Sequence, residues 1–217
     1  MNINQDIKSR TQWRTPPNHG WLEHKLNKSE LDYVWKCVNE RHTQHCNSVL
    51  AGNIDSSFNL TDENNWFFNN TITPLISLYN ELFHDLSNKV PVRSKVGAEY
   101  VNYYMNTWWV NYQKENEFNP LHAHTGVYSF VLWLKIPTEY MEQNDVSNGV
   151  TNSPQKSAFC FSYTDILGEV ATHTYKMGKD YEGTLLFFPS SLKHTVYPFY
   201  NCSEDRISIS GNIFIDV

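Results

Sequence analysis

Long apolar runs, arginines and paired cysteines are all scarce in this 217-residue chain. No stretch approaches the roughly 18 consecutive apolar residues that span a bilayer. The N-terminal MNINQDIKSRTQWR is polar and lacks the apolar segment of a signal peptide. A soluble, cytoplasmic protein with no membrane partner is therefore expected. The only arginines are Arg10, Arg14, Arg41, Arg93 and Arg206, and the net charge is -6. Proteins that bind nucleic acid by neutralising phosphates carry a basic patch. None is visible, so nucleic acid is not the expected partner. Cys37, Cys46, Cys160 and Cys202 show no CxxC spacing and read as reduced, buried thiols. There is no internal repeat or low-complexity tract.

What the chain does have is aromatic residues, 15% of the total, within a hydrophobic fraction of 40%. That is ample for a core and favours β-structure over a helical bundle. The length supports one domain, 1–217, divided into an arm with supporting helices over 1–95 and a β core over 96–217. Residues 1–25, with Trp13, Pro16, Pro17 and Trp21, read as an extended arm laying aromatics on the body. Asn27 or Ser29 can cap a helix carrying Leu31, Val34, Trp35 and Val38 at helical spacing. Residues 53–65 are polar and turn-rich. A second helical segment is expected over 66–88, with Leu75, Leu78, Tyr79, Leu82 and Phe83 on one face and Pro74 in its first turn.

From about Tyr100 the pattern changes to short segments rich in β-branched and aromatic residues. They are 100–112, 127–136, 158–163, 173–176, 183–188, 195–200 and 207–215, separated by polar, Gly- or Pro-containing turns. Seven strands at this spacing predict a sandwich, jelly roll or barrel. The polar stretch 141–157 reads as a long loop, of the kind that often serves as a lid or binding loop.

The chemistry concentrates in His122-Ala-His124, His194 and Arg206. Histidines at i and i+2 project from one side of an extended strand. A third imidazole brought alongside completes a facial metal site of the open, non-haem Fe(II) kind, in which a carboxylate usually accompanies two histidines. Here His124 stands at the carboxylate position. Arg206 opens the strand DRISISGNI, and an arginine inside a barrel needs an anion partner, which a dicarboxylate supplies through paired hydrogen bonds. For an isolated HxH the dull alternative is a pair of exposed strand-end histidines. His19, His24, His42, His45 and His84 lie in arm or helical regions and have no special claim as ligands.

NEFNPLHAHTGVYSFVLWLKIP, then DYEGTLLFFPSSLKHTVYPFY, then EDRISISGNI, resembles the 2-oxoglutarate- and Fe(II)-dependent oxygenase family over roughly 100–217. It is most similar to the versions carried by tailed phages of marine cyanobacteria and, more distantly, to prolyl hydroxylases. The resemblance implies a mainly β fold with N-terminal helices, a double-stranded β-helix (jelly roll, cupin-like). It also implies Fe(II), 2-oxoglutarate and O2, with ascorbate in support, and a host-cytoplasmic location if the gene is a phage's. Carried onto this sequence, His122 and His194 would be metal ligands and Arg206 would pair with the distal carboxylate of 2-oxoglutarate, with Ser208 adding a hydroxyl. Asn111 and Gln113 are further co-substrate candidates. Ser129 and Trp133 occupy the corresponding face of the next strand, as contacts or as barrel filling. His124 either ligates, giving a three-histidine site, or leaves the third position to water or halide; direct ligation is the favoured reading. Glu115 and Glu117 are minor candidates for a substitute ligand. The implied reaction is oxidative decarboxylation of 2-oxoglutarate to succinate, coupled to C–H hydroxylation of a small-molecule or peptide substrate. A homodimer is compatible with this reading. Two other classes fit the same residues: a three-histidine cupin-type dioxygenase independent of 2-oxoglutarate, and a non-catalytic jelly-roll module. The first predicts indifference to Arg206→Ala, the second no stoichiometric Fe(II) or Co(II) binding.

Overall fold

The computed structural model describes residues 5–12, 14–15, 18–83, 102–145 and 154–216. In chain order they form α1 (Gln5–Arg10), β1 (Leu22–Lys25), α2 (Lys28–Asn39), β2 (Ser56–Asn59), α3 (Thr73–Phe83), β3 (Asn102–Gln113), β4 (Asn119–His122), β5 (Tyr128–Lys135), α4 (Tyr140–Asp145), β6 (Phe159–Thr164), β7 (Val170–Tyr175), β8 (Thr184–Pro189), β9 (Lys193–Val196) and β10 (Arg206–Asp216). All strand pairings are antiparallel. One sheet has the order β1-β8-β5-β10-β3-β2 and the other β4-β9-β6-β7. The two face each other, as ring contacts across the gap show: Trp133 to Phe159 at 5.2 Å and Phe161 to Phe188 at 5.0 Å. This is the jelly roll, with helices against the outer face of the larger sheet.

Strand alternation sorts the residues of that sheet. On β10, Ile209 and Ile213 turn outward into a core with Val34 and Val38 of α2 and Leu75, Ile76 and Tyr79 of α3. Val110, Leu132, Leu185 and Phe187 of the neighbouring strands join them. A second, smaller cluster between the sheets contains Val131, Trp133, Phe159, Phe161, Leu186 and Phe188. It fills only part of the space, and the rest is the cavity described below.

The helices hold to their places through local chemistry. Of the two residues the sequence offered, Asn27 is the cap of α2, in a capping box with Glu30. Glu30 is buried, and its other oxygen accepts from Thr71 Oγ1 at 2.8 Å, tying α2 to the segment before α3. That segment, Phe68–Ile72, is a π-helical turn. Pro74 lacks an N–H and its ring crowds the carbonyl four residues back; a widened turn just before it lets the helical run continue through the proline. The buried face of α3 differs from the expected one. Leu78 and Leu82 are exposed while Ile76 is buried, and 84–88 lie outside the described residues.

Other expectations change as well. The segment assigned to arm and helices supplies β1 and β2, the two edge strands of the larger sheet, so residue 95 does not divide the sheet. β2 lies in the stretch that reads as polar turns, because its pattern, SSFN, carries too few apolar residues to register. The 141–157 loop begins inside α4, and 146–153 lie outside the described residues. Trp21 does pack on the body, 4.7 Å from Phe161, with its indole N–H donating to the Tyr175 hydroxyl; Trp13, Pro16 and Pro17 are outside the described residues. Among these residues no helix is long and apolar enough to cross a membrane.

Candidate functional site

His122 and His194 are directly opposed partners across the β4–β9 ladder, which places both side chains on one face. Their ring centroids are 4.2 Å apart. His194 thus lies within β9, not ahead of a strand over 195–200, because Pro198 cannot continue the ladder. The HxH motif is also not the start of the long strand: β4 ends at His122, and His124 lies beyond it. Its backbone N–H donates to Ser190 O at 2.8 Å, while Val127 N donates to Ile213 O. Gly126, at φ 104°, makes the intervening turn; a Cβ there would stand 2.7 Å from Ile213 O. His122 and His124 converge, their ring centroids 4.9 Å apart, although only His122 belongs to the ladder. Ligand atoms of His122, His124 and His194 all lie within 4.8 Å of one another.

The imidazoles are set up as lone-pair donors. His122 Nδ1 lies 2.7 Å from Pro120 O, and His194 Nδ1 lies 2.9 Å from Leu192 O. A carbonyl only accepts, so each Nδ1 carries the proton and each Nε2 keeps a free lone pair. His124 Nε2 and His194 Nε2 are 3.2 Å apart. Without a metal this contact is one hydrogen bond, donated by His124. It is also close to the separation of two adjacent ligand nitrogens that each lie roughly 2.1 Å from one ion. Burial pushes the His124 imidazole down to about 4 and that of His194 down to about 3, with their histidine neighbours adding to the effect. His122 is lowered too, first by burial and then by Lys193, against the opposing pull of the Pro120 carbonyl. All three rings are neutral near pH 7, the protonation state that metal binding needs.

They sit on a cavity of about 440 Å³. Its wall includes Asn111, Gln113 and Ser208, together with Trp109, Val131, Trp133, Phe159 and Phe188. Asn111 Oδ1 accepts from Ser57 Oγ at 2.8 Å, and Gln113 Nε2 donates to Glu117 O at 2.6 Å. Ser129 faces the same interior but is wholly buried, bonded to Ser190 Oγ and Asn212 Oδ1; it supports the wall from behind. Trp109 lies edge-on to His124 at 6.2 Å, whereas Trp108 turns away to stack on Phe67.

Arg206 is fully buried on the same strand face as Ser208, opposite Gln113. Its Nη2 donates to Ser157 O and Ser157 Oγ, and its guanidinium carbon stands 4.9 Å over the Phe199 ring. Among the described residues Nε and Nη1 have no acceptor. Burial alone brings this guanidinium down to about 10, so it is still cationic near neutral pH. A buried cation with unsatisfied donors is costly, and a carboxylate is the natural acceptor for them. Three nitrogen donors on one side of an open cavity and an unsatisfied guanidinium fit Fe(II) and 2-oxoglutarate respectively. Glu117 is not a substitute ligand. Its two oxygens accept from Asp55 N and Lys114 N, closing a turn, and among the described residues neither it nor Glu115 joins the histidine group.

The sequence reading missed Ser157, which grips Arg206, and stopped short along β10. Ser210 and Asn212 also line the cavity, and the strict alternation of RISISGN already put them on the Arg206 and Ser208 side.

Residues 107–212 match the family described as "Putative 2OG-Fe(II) oxygenase". The sequence has no significant match among curated proteins. Among solved structures, the chain is similar to the viral collagen prolyl hydroxylase of Paramecium Bursaria Chlorella virus-1, solved with 2OG, at 11% identity and TM-score 0.50 over 91% of this chain and 96% of that one. It is also similar to a Pseudomonas putida prolyl-4-hydroxylase at 13% identity and TM-score 0.49 over 95% and 94%. At such identities the likeness concerns the fold. The matched segment carries all three clustered histidines and Arg206, and over that segment the chain is similar to this family.

Proposed function

We propose that the protein is a 2-oxoglutarate- and Fe(II)-dependent dioxygenase that hydroxylates a C–H bond, with His122, His124 and His194 as the metal ligands. The observation that supports this most directly is the pairing of a neutral three-imidazole cluster with a buried, under-satisfied Arg206 inside one jelly roll. Fe(II), when bound with 2-oxoglutarate and O2, supplies oxidative decarboxylation coupled to C–H oxidation.

The chain's own part is placement. The Pro120 and Leu192 carbonyls fix two imidazole tautomers, and Arg206 receives the distal carboxylate of 2-oxoglutarate. Ser208, Asn111 and Gln113 offer further hydrogen bonds along the way. Trp133, level with Ser208, and Phe159 against it make that end of the cavity apolar, which strengthens a guanidinium–carboxylate attraction. With three neutral imidazoles the site retains one more unit of positive charge than a two-histidine, one-carboxylate site, and this favours the anionic co-substrate.

Purified protein incubated with Fe(II), ascorbate and 2-oxoglutarate is expected to release succinate well above a His194→Ala control. No succinate over that control, with the unaltered protein folded and metal-loaded, overturns the reading.

A further inference from the structure

We infer that the part of the substrate entering this cavity is uncharged and presents groups that donate and accept hydrogen bonds together, as amides and hydroxyls do. The inference rests on the preceding assignment of the histidine cluster and of Arg206, because these define which part of the cavity is left for substrate.

The β3–β10 ladder sets the positions. Its inward-facing rungs are Gln113–Arg206, Asn111–Ser208, Trp109–Ser210 and Thr107–Asn212. Trp109 lies against His124, so the cluster stands at the level of the third rung. The two rungs toward Arg206 belong to the co-substrate. The fourth rung and what lies beyond it remain. At that point the register slips between Asn212 and Ile213, leaving Asn106 as an extra residue on β3. Such a bulge re-aims side chains, and here the consecutive residues Asn106 and Thr107 both line the cavity, joined by Asn119 from β4.

This arm has amides and a hydroxyl where a charged substrate would need a counter-ion. Among the described residues no aspartate, glutamate, lysine or arginine lines the cavity. A charged group drawn in would give up part of its hydration without gaining a counter-ion.

One of the amides is also oriented. Asn212 Oδ1 already accepts from Ser129 Oγ, so it presents its N–H donor. Asn119 Oδ1, by contrast, is buried against Gly52, and the acceptors of this arm are the Thr107 hydroxyl and the Asn106 amide. Donors and acceptors displayed together match a neutral group that carries both functions.

The test uses the full chain loaded with Zn(II) and 2-oxoglutarate, whose binding is first measured by calorimetry. Ligand-observed NMR then follows a set of acetylated dipeptide amides carrying Asn, Ser, Glu or Lys, beside neutral polyols and their carboxylate and ammonium analogues. Saturable binding confined to neutral members is expected; which of the amides or polyols bind tells the source. Asn106→Asp and Thr107→Glu, both at exposed positions, should weaken the neutral binders by about tenfold and admit the ammonium members. Charged members binding as well as neutral ones, no neutral member binding, or variants that leave the preference unchanged would overturn the inference. Loss of Zn(II) or 2-oxoglutarate binding in the calorimetry instead breaks the assignment of the centre.

Discussion

Ser208 and Ile209 are consecutive on β10 and live in opposite surroundings. Ile209 is sealed among Val110, Leu132 and the helices, while Ser208 faces the cavity with Ser210 and Asn212. The same holds across β3, where Val110 is core and Asn111 is cavity wall. In an ordinary sandwich the residues between the sheets would be the main apolar core. Here that role has moved to the outer face, under α2 and α3, and the interior is free to be polar, hollow and partly unsatisfied. Stability and chemistry are thus divided between the two sides of one sheet, a single residue apart.

The sharpest break of that division is at the histidines. His194→Ala is expected to abolish 2-oxoglutarate turnover and to weaken Co(II) binding by more than roughly a hundredfold, since even outer partners of ligands are worth 10–100-fold. His124→Ala should do the same if it ligates. Absorption titration with Co(II) reads both, and an unchanged His124→Ala curve would remove that residue from the ligand set.

On the opposite face, Ile209→Ala should cost about 2–5 kcal/mol of stability while leaving the 2-oxoglutarate affinity of the folded fraction unaltered. Urea denaturation and calorimetry separate the two effects.

Arg206→Met joins both sides of the comparison. Removing a buried, under-satisfied cation should leave the metal-free protein as stable or up to about 4 kcal/mol more stable. Binding of 2-oxoglutarate should fall by roughly a hundredfold or more. A variant that binds 2-oxoglutarate normally would show that the guanidinium serves the fold alone.

Acid tests the cavity side again. The imidazoles of His124 and His194 stay neutral down to about 4 and about 3 when folded but titrate near 6.5 when unfolded. The unfolded chain therefore binds more protons below 6.5, and stability falls as pH drops through that window while nothing is lost above it. Melting of the metal-free protein between about pH 8 and about pH 5 should show this decline, and His124→Ala should flatten it. Smallest of all, Ser208→Ala should reduce 2-oxoglutarate affinity only a few-fold, the worth of one hydrogen bond, with stability nearly unchanged.

Much of this was legible beforehand, for reasons that can be named. The capped helix at Asn27, the long strands within 100–112, 127–136 and 207–215, and the four chemistry-bearing residues all leave strong local patterns. β1, β2 and β4 left weak ones: each has four residues, and their pairing partners lie far along the chain. The α3 face was misjudged because its apolar residues leave more than one stripe at helical spacing, and only packing against the sheet decides that Leu75, Ile76 and Tyr79 face the core. Ser157 could not be found at all, since nothing near it in sequence points to Arg206.

By itself the sequence determined which residue types were available and which strands would be two-faced, because alternation along a strand is a property of covalent geometry. Only the tertiary structure decided that β4 and β9 would pair with His122 and His194 in register, and that His124, past the end of β4, would lie beside them. It alone left Arg206 buried with donors to spare. Those outcomes depend on contacts between segments scores of residues apart, whose energies exist only once the two sheets have closed on each other.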